Sequence, residues 1–346
     1  MKNTFWKDKN VLITGHSGFK GSWLSLYLTS LGSNVFGLSS YKLDGVYKLA
    51  DVSSIMSEEL FIDISLLETS NKLIPFLDKI KPDIIFHFAA QSLVLESYRN
   101  PRKTLETNIF GTYNLIESTN DSSVNPKIVI ATTDKVYKYP ERFNDEKSEL
   151  GGKDFYSISK VSKELLVESV LQHPSFKELN ISRVRSGNVI GGGERRENRL
   201  FTDLISSLIN KNDFILRNPN SIRPWQYILD SLTGYLMVAE KSYINNANLV
   251  YNLNSEINNN YDVEAIAKLF LKHSGNRNKI ILENTVIYEE VDKLTINSNK
   301  ANNELGWSAK MGIEKIVKLI IDWEKNYTNE SGPEYSFQEI KNYLSI

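Results

Sequence analysis

The 346 residues contain no cysteine. That absence removes disulfides, thiolate nucleophiles and every cysteine-based zinc or iron–sulfur site. Histidine is scarce too, limited to His16, His87, His173 and His273. None belongs to an H-E-x-x-H pair, so zinc-protease chemistry is excluded. No apolar run approaches the ~18 residues that span a bilayer. Met1 to Asn10 is polar and charged, without the apolar stretch of a signal peptide. Excess charge of one sign is missing as well: 41 Lys plus Arg stand against 42 Asp plus Glu, a net charge of −1. A chain that tracked nucleic acid by neutralising phosphates would carry a basic surplus. These absences predict a cytoplasmic protein with no metal site, no membrane segment and no nucleic-acid partner. What remains is an ordinary globular balance, 41% hydrophobic and 24% charged.

Short apolar runs alternate with helix-length amphipathic stretches. The runs are Val11–Thr14, Asn34–Leu38, Asp83–Phe88, Lys127–Ala131, Ile181–Arg185 and Leu249–Leu253. Ile128 to Ala131 is apolar at consecutive positions, as in strands covered on both faces. Helical spacing is expected over Ser22–Leu31, Ser65–Ile80, Pro101–Thr119 and Asp154–Leu171, and again over Val263–His273 and Gly312–Asn326. Strand–helix alternation predicts an α/β fold with a doubly wound, Rossmann-like parallel sheet. The pattern is less regular beyond about residue 190, and Arg217 to Trp225 reads as loop. We expect a nucleotide-binding domain over residues 1–187, with segments returning at roughly 220–256. Residues 188–346 are expected to form mainly a smaller, partly interleaved substrate-binding domain.

Gly15, Gly18 and Gly21 follow the first apolar run and open the first helix. The first permits a tight turn, the second lets a pyrophosphate approach the backbone, and the third lets helix and strand pack closely. In that position the triplet favours a dinucleotide over an ordinary turn. The end of the second strand, Leu38 to Asp44, offers Ser39, Ser40 and a distant Asp44, so NAD and NADP both stay open there. Asp63 and Ile64 read either as an adenine pocket or as a simple turn.

Tyr156 and Lys160 are four residues apart and share one helix face. A neighbouring ammonium lowers a phenol from its usual value of about 10. Such a phenolate could take a proton from a sugar hydroxyl. Thr133 follows a buried strand, where ligands bind in open α/β sheets, and could hydrogen-bond the same oxygen. Strand, turn and the later Tyr-x-x-x-Lys together favour chemistry over a surface pair.

With these residues in view, the chain resembles the extended short-chain dehydrogenase/reductases of nucleotide-sugar type. Within them it is most similar to the CDP-glucose 4,6-dehydratases. The matching stretches are Gly15 to Leu24, Phe86 to Gln91, Thr107 to Thr112, Arg185 to Gly193 and Ser221 to Gln226. Three stretches depart from that pattern: Tyr137 to Lys153 is short, Glu194 to Asn198 replaces an Asp-Trp pair, and Val136 stands where cysteine is common.

The resemblance implies NAD as cofactor and a nucleotide sugar, most specifically CDP-glucose, as substrate. The implied chemistry is oxidation at C4, loss of water across C5 and C6, and return of the hydride to C6. Thr133, Tyr156 and Lys160 would serve the oxidation, Asp134 the acid step and Lys135 the base step. Cofactor contacts would come from Gly15, Ser17, Gly18, Phe19, Lys20, Gly21, Asp63, Ile64, Ala89, Ala90, Gln91, Asn108, Tyr156 and Lys160. Substrate contacts would come from Gln91, Asn188, Arg199, Arg217 and Arg223, with the arginines holding the pyrophosphate. His87 is expected to be a core histidine. A homodimer through 101–119 and 154–171 is also implied. A nucleotide-sugar 4-epimerase needs the same oxidation without an acid–base pair for elimination. A non-catalytic NAD-binding protein would need the catalytic set to have decayed.

Overall fold

The computed structural model describes residues 4–258, 261–275, 278–283, 294–327 and 332–346. Seven strands form one parallel sheet: β1 (Asn10–Thr14), β2 (Asn34–Ser39), β3 (Glu58–Phe61), β4 (Ile84–His87), β5 (Lys127–Ala131), β6 (Asn180–Ser186) and β10 (Val250–Leu253). Their order is β10-β6-β5-β4-β1-β2-β3, and every neighbouring pair is parallel. The doubly wound sheet expected from the sequence is therefore present. The consecutive apolar residues have the expected cause. In β1, Val11 and Ile13 enter one core and Leu12 the other; Phe86 and Ile85 of β4 divide the same way. A strand buried on both faces needs apolar residues at successive positions.

Two small parallel pairs lie outside this sheet. They are β7 (Val189–Ile190) with β9 (Gln226–Tyr227), and β8 (Phe214–Arg217) with β11 (Ile280–Glu283). Helices Leu200–Asn210, Ile228–Asn245, Val263–Ser274, Ile313–Asn326 and Glu334–Leu344 complete the later chain. No helix among the described residues is long and apolar enough to cross a membrane.

The chain winds β1-β2-β3 in one direction and then crosses to β4 and runs the other way. The order reverses between β1 and β4, and their carboxyl ends open a crevice there. The expected 101–119 helix is interrupted. Pro101–Leu105 and Gly111–Asp121 are joined by one π-helical turn, Glu106–Phe110. Such turns are rare and frequent near functional sites.

Candidate active site

The Gly15 turn is held by Gly15 N–H donating to Leu38 O (2.6 Å) and Gly18 N–H to Gly15 O (3.0 Å). Gly15 has φ +75°, a left-handed conformation that glycine adopts without strain. A Cβ on Gly21 would lie 2.2 Å from Gly15 O, so only glycine lets the helix start this close to β1. The following helix, Phe19–Ser30, has no side-chain cap, and its N-terminus opens on the crevice. Free amide N–H groups and the helix dipole there suit a pyrophosphate.

A cleft of about 900 Å³ runs along the carboxyl ends of the strands. Gly15, Ser17, Gly18, Phe19, Lys20, Gly21, Asp63, Ile64, Ala89 and Ala90 line one part of it. Asp44 does not reach the cleft; its exposed carboxylate pairs with Lys48 at 3.2 Å. Ser39 and Ser40 supply the polar groups at the end of β2 instead. Asp63 is tied to Lys103 Nζ (2.8 Å) and to Ser65 N and Oγ. Burial opposes that charge, yet these partners hold its carboxyl below the usual range. The glycine cradle, the uncapped helix and the polar strand ends fit a dinucleotide.

Thr133, Asp134, Lys135, Tyr156 and Lys160 line the same cleft. Two devices bring them together. Asp154 and Ser157 form a reciprocal capping box that starts the Phe155–Gln172 helix, setting Tyr156 in its first turn and Lys160 one turn on. Thr132 Oγ donates to buried Glu164 of that helix at 2.7 Å, which binds the end of β5 to it. Glu164 also accepts from Arg185 Nε and Nη2, each at 2.9 Å. Burial works against the Glu164 carboxylate, and these bonds outweigh it and keep it ionised.

The electrostatics correct one expectation. Lys160 Nζ lies 5.7 Å from the centre of the Tyr156 ring, but the phenol is not lowered. Burial pushes Tyr156 up to about 12, against a hydrogen bond with Thr133 and the charge of Arg199. Lys160 falls to about 7 through burial and the nearby charge of Lys20, and Lys20 falls to about 8 through burial and Arg199. Cations crowded into an apolar pocket lose protons before a buried phenol does. Asp134 is 2% exposed. Thr133 Oγ donates to its Oδ1 at 2.9 Å, while Oδ2 is buried without a hydrogen-bond partner. Burial raises its pKa despite Lys135, Thr133, Arg223 and Lys20.

A family model described as GDP-mannose 4,6 dehydratase matches residues 12–320. The chain belongs to this dehydratase family. It is 34% identical over 355 residues to CDP-glucose 4,6-dehydratase of Salmonella typhimurium, covering 99% of this chain and 98% of that one. It is 25% identical to UDP-glucose 4-epimerase of Bacillus subtilis, covering 92% and 98%. Among solved structures, UDP-glucose 4-epimerase from Bifidobacterium longum in complex with NAD+ and UDP superposes with a TM-score of 0.77. That match has 20% identity and covers 92% of this chain and 99% of the other.

The rest of this dehydratase-family cleft carries a polar and basic set among acidic and apolar residues. Asn188, Arg199, Arg217 and Arg223 line it. Arg199 Nη2 donates to Ser92 O (3.1 Å), and its Nε is buried without a partner. Arg217 donates to Asn198 Oδ1 (3.1 Å) and pairs with Asp203 (3.4 Å).

Two expected contacts are placed differently. Gln91 lines the cleft, but its amide is spent on Leu93 N, Leu93 O and Thr104 Oγ. Asn108 is off the cleft wall. The π-helical turn carries its side chain inward, where it clamps Gln91 N and O and reaches Ser159 Oγ. His87 is buried between Thr14 Oγ (2.7 Å) and Thr112 Oγ (2.9 Å), and burial drives it far below its usual value, so it is a neutral core histidine.

The sequence pattern missed Arg196, whose Nη1 donates to Ser92 Oγ at 2.8 Å across the cleft. The one signal for it was the departure from the family pattern at Glu194 to Asn198. It also missed the acid Asp203 on the same wall.

Proposed function

We propose that this chain dehydrates a nucleotide-activated hexose with NAD as cofactor, most specifically CDP-glucose to CDP-4-keto-6-deoxy-glucose. One observation carries the proposal. Asp134 is a buried carboxyl with a raised pKa in the same cleft as Thr133, Tyr156 and Lys160. Expelling a hydroxide needs a proton donor, and burial favours the protonated form of this carboxyl. A 4-epimerase leaves such a group without work. The likeness to the Salmonella enzyme supports cytidine as the base.

NAD, when bound in the Gly15 cradle, supplies the hydride acceptor for C4 and the donor for C6. The chain's own groups do the rest. Tyr156, with Lys160 and Thr133, takes the C4 hydroxyl proton. The resulting 4-keto group acidifies the C5 proton, which Lys135 removes and returns to C5 once C6 is reduced. Asp134 protonates the departing C6 hydroxyl. Arg199 and Arg223 hold the diphosphate by charge-assisted hydrogen bonds, and Asn188 orients the sugar. In this scheme residues 1–187 with 220–256 carry the cofactor, and 188–346 mainly the substrate.

A panel of CDP-, UDP-, dTDP- and GDP-hexoses tests the scheme. The expected product is lighter by about 18 mass units, one water. It is a 4-keto sugar that absorbs in base. A product of unchanged mass would make the chain an epimerase. NAD binding with no turnover on any member would make it non-catalytic.

We further propose a homodimer in the cytoplasm. Phe110 of the 101–121 segment and Phe155, Ile158 and Leu165 of the Phe155–Gln172 helix leave an apolar stripe exposed. Stripes of that kind on two adjacent helices suit a two-fold contact with a second copy. Leu165→Glu should shift the protein to monomer in multi-angle light scattering. A wild-type monomer at working concentration would overturn the dimer.

A further inference from the structure

Asp203 and Arg217 are not needed by the chemistry above, yet both face the cleft. Asp203 sits in the first turn of the Leu200–Asn210 helix, and Arg217 ends β8. Their side chains are each 33% exposed, and their contact is long, 3.4 Å. Each therefore keeps hydrogen-bonding capacity toward the cleft. Asp134 and Tyr156 feel Arg223 and Arg199, whereas Asp203 feels Arg217 and Glu197. Asp203 N–H also donates to Arg199 O at 3.0 Å, which sets the pair one helical turn along from that arginine. Apolar Phe214, Ile215, Leu216 and Val263 line the cleft beside it. An apolar wall with one acceptor next to a donor fork suits a nucleobase edge.

We propose that Asp203 and Arg217 read the base of the sugar nucleotide and select cytosine. This rests on the dehydratase scheme only for the ligand being a nucleotide sugar. Cytosine presents an N4 amino donor beside the N3 and O2 acceptors. A carboxylate accepts from N4, and a guanidinium donates to its neighbours. Uracil and thymine present O4 at the same place, so the Asp203 carboxylate faces another acceptor. Rejection by a mispaired polar group is stronger than rejection by shape alone. Arg217 is thereby assigned to the base rather than to the pyrophosphate.

Calorimetry on the wild-type chain with CMP, UMP, GMP and the monophosphate of pyrimidin-2-one riboside tests the pair. The last compound is cytidine without its amino group. CMP is expected to bind tightest, with UMP and the pyrimidinone weaker by about tenfold or more. In Asp203→Asn the CMP advantage over both should fall by about tenfold. Equal binding of CMP and the pyrimidinone by wild type overturns the proposal without any variant. So does tighter binding of UMP or GMP. The hexose panel separates the two ideas. CMP selectivity with no dehydration of CDP-glucose sinks the dehydratase scheme and leaves the base assignment standing. Dehydration of UDP- or GDP-hexoses in preference does the reverse.

Discussion

Replacing Tyr156 with phenylalanine should lower turnover of the preferred hexose by about 10²–10⁴-fold, the usual worth of a positioned acid–base group. The substitution keeps the buried ring and removes one oxygen. Substrate affinity should change far less than rate. The pH profile carries the more specific expectation. In the free site Tyr156 sits at about 12 and Lys160 at about 7, so near neutrality the missing proton comes off the lysine. A phenol beside a neutral amine has the same number of protons as a phenolate beside an ammonium. The two forms are one protonation state of a coupled pair. That state is the competent base, and it gains population as pH rises through about 7. Turnover should climb across that range, and Lys160→Met should remove the rising limb. A profile flat between pH 6 and 8 would separate Lys160 from the base, and full activity in Tyr156→Phe would separate Tyr156 from it.

Much of this arrangement was legible in the residue order. Strands buried on both faces carry runs such as Lys127 to Ala131, and the Lys127–Ala131 boundaries match the structure. The Gly15 turn was legible because only glycine tolerates its backbone and its packing against β1. Other features leave no periodic trace. β3, Glu58–Phe61, is a short edge strand, and its Glu59 is consumed by bonds to His16, Tyr47 and Ser53. The Ile228–Asn245 helix buries most of its residues, so it shows no polar face to mark a period. Side-chain bookkeeping is less visible still. Gln91 and Asn108 have the chemistry of ligand contacts, but the fold uses their amides to pin the loop after β4. The phenol and ammonium of Tyr156 and Lys160 were legible as a pair, while the direction of their shifts depends on burial and, for Lys160, on the charge of Lys20. Lys163, its Nζ fully buried without a hydrogen-bond partner, is itself lowered by burial and by the charge of Lys160.

Lys135→Ala should separate the two halves of the reaction. The side chain is proposed to act only after the 4-keto group exists, when it removes the C5 proton. Oxidation at C4 draws on Tyr156, Lys160 and Thr133, none of which contacts substrate through Lys135. The variant should bind the nucleotide sugar and lose about 10²–10⁴-fold in release of water. In deuterated solvent the wild type should place solvent deuterium in the product as water departs. The variant's recovered hexose should keep its original C5 proton and its mass. Asp134→Asn gives the complementary result. The asparagine still accepts from Thr133 but has no acidic proton for the C6 hydroxyl, so C5 exchange should persist while water loss fails. Exchange without elimination in one variant, and neither in the other, would assign base and acid separately to these adjacent residues. Dehydration at wild-type rate in Lys135→Ala would remove Lys135 from the proton path and leave the C5 base to be sought elsewhere on the cleft wall.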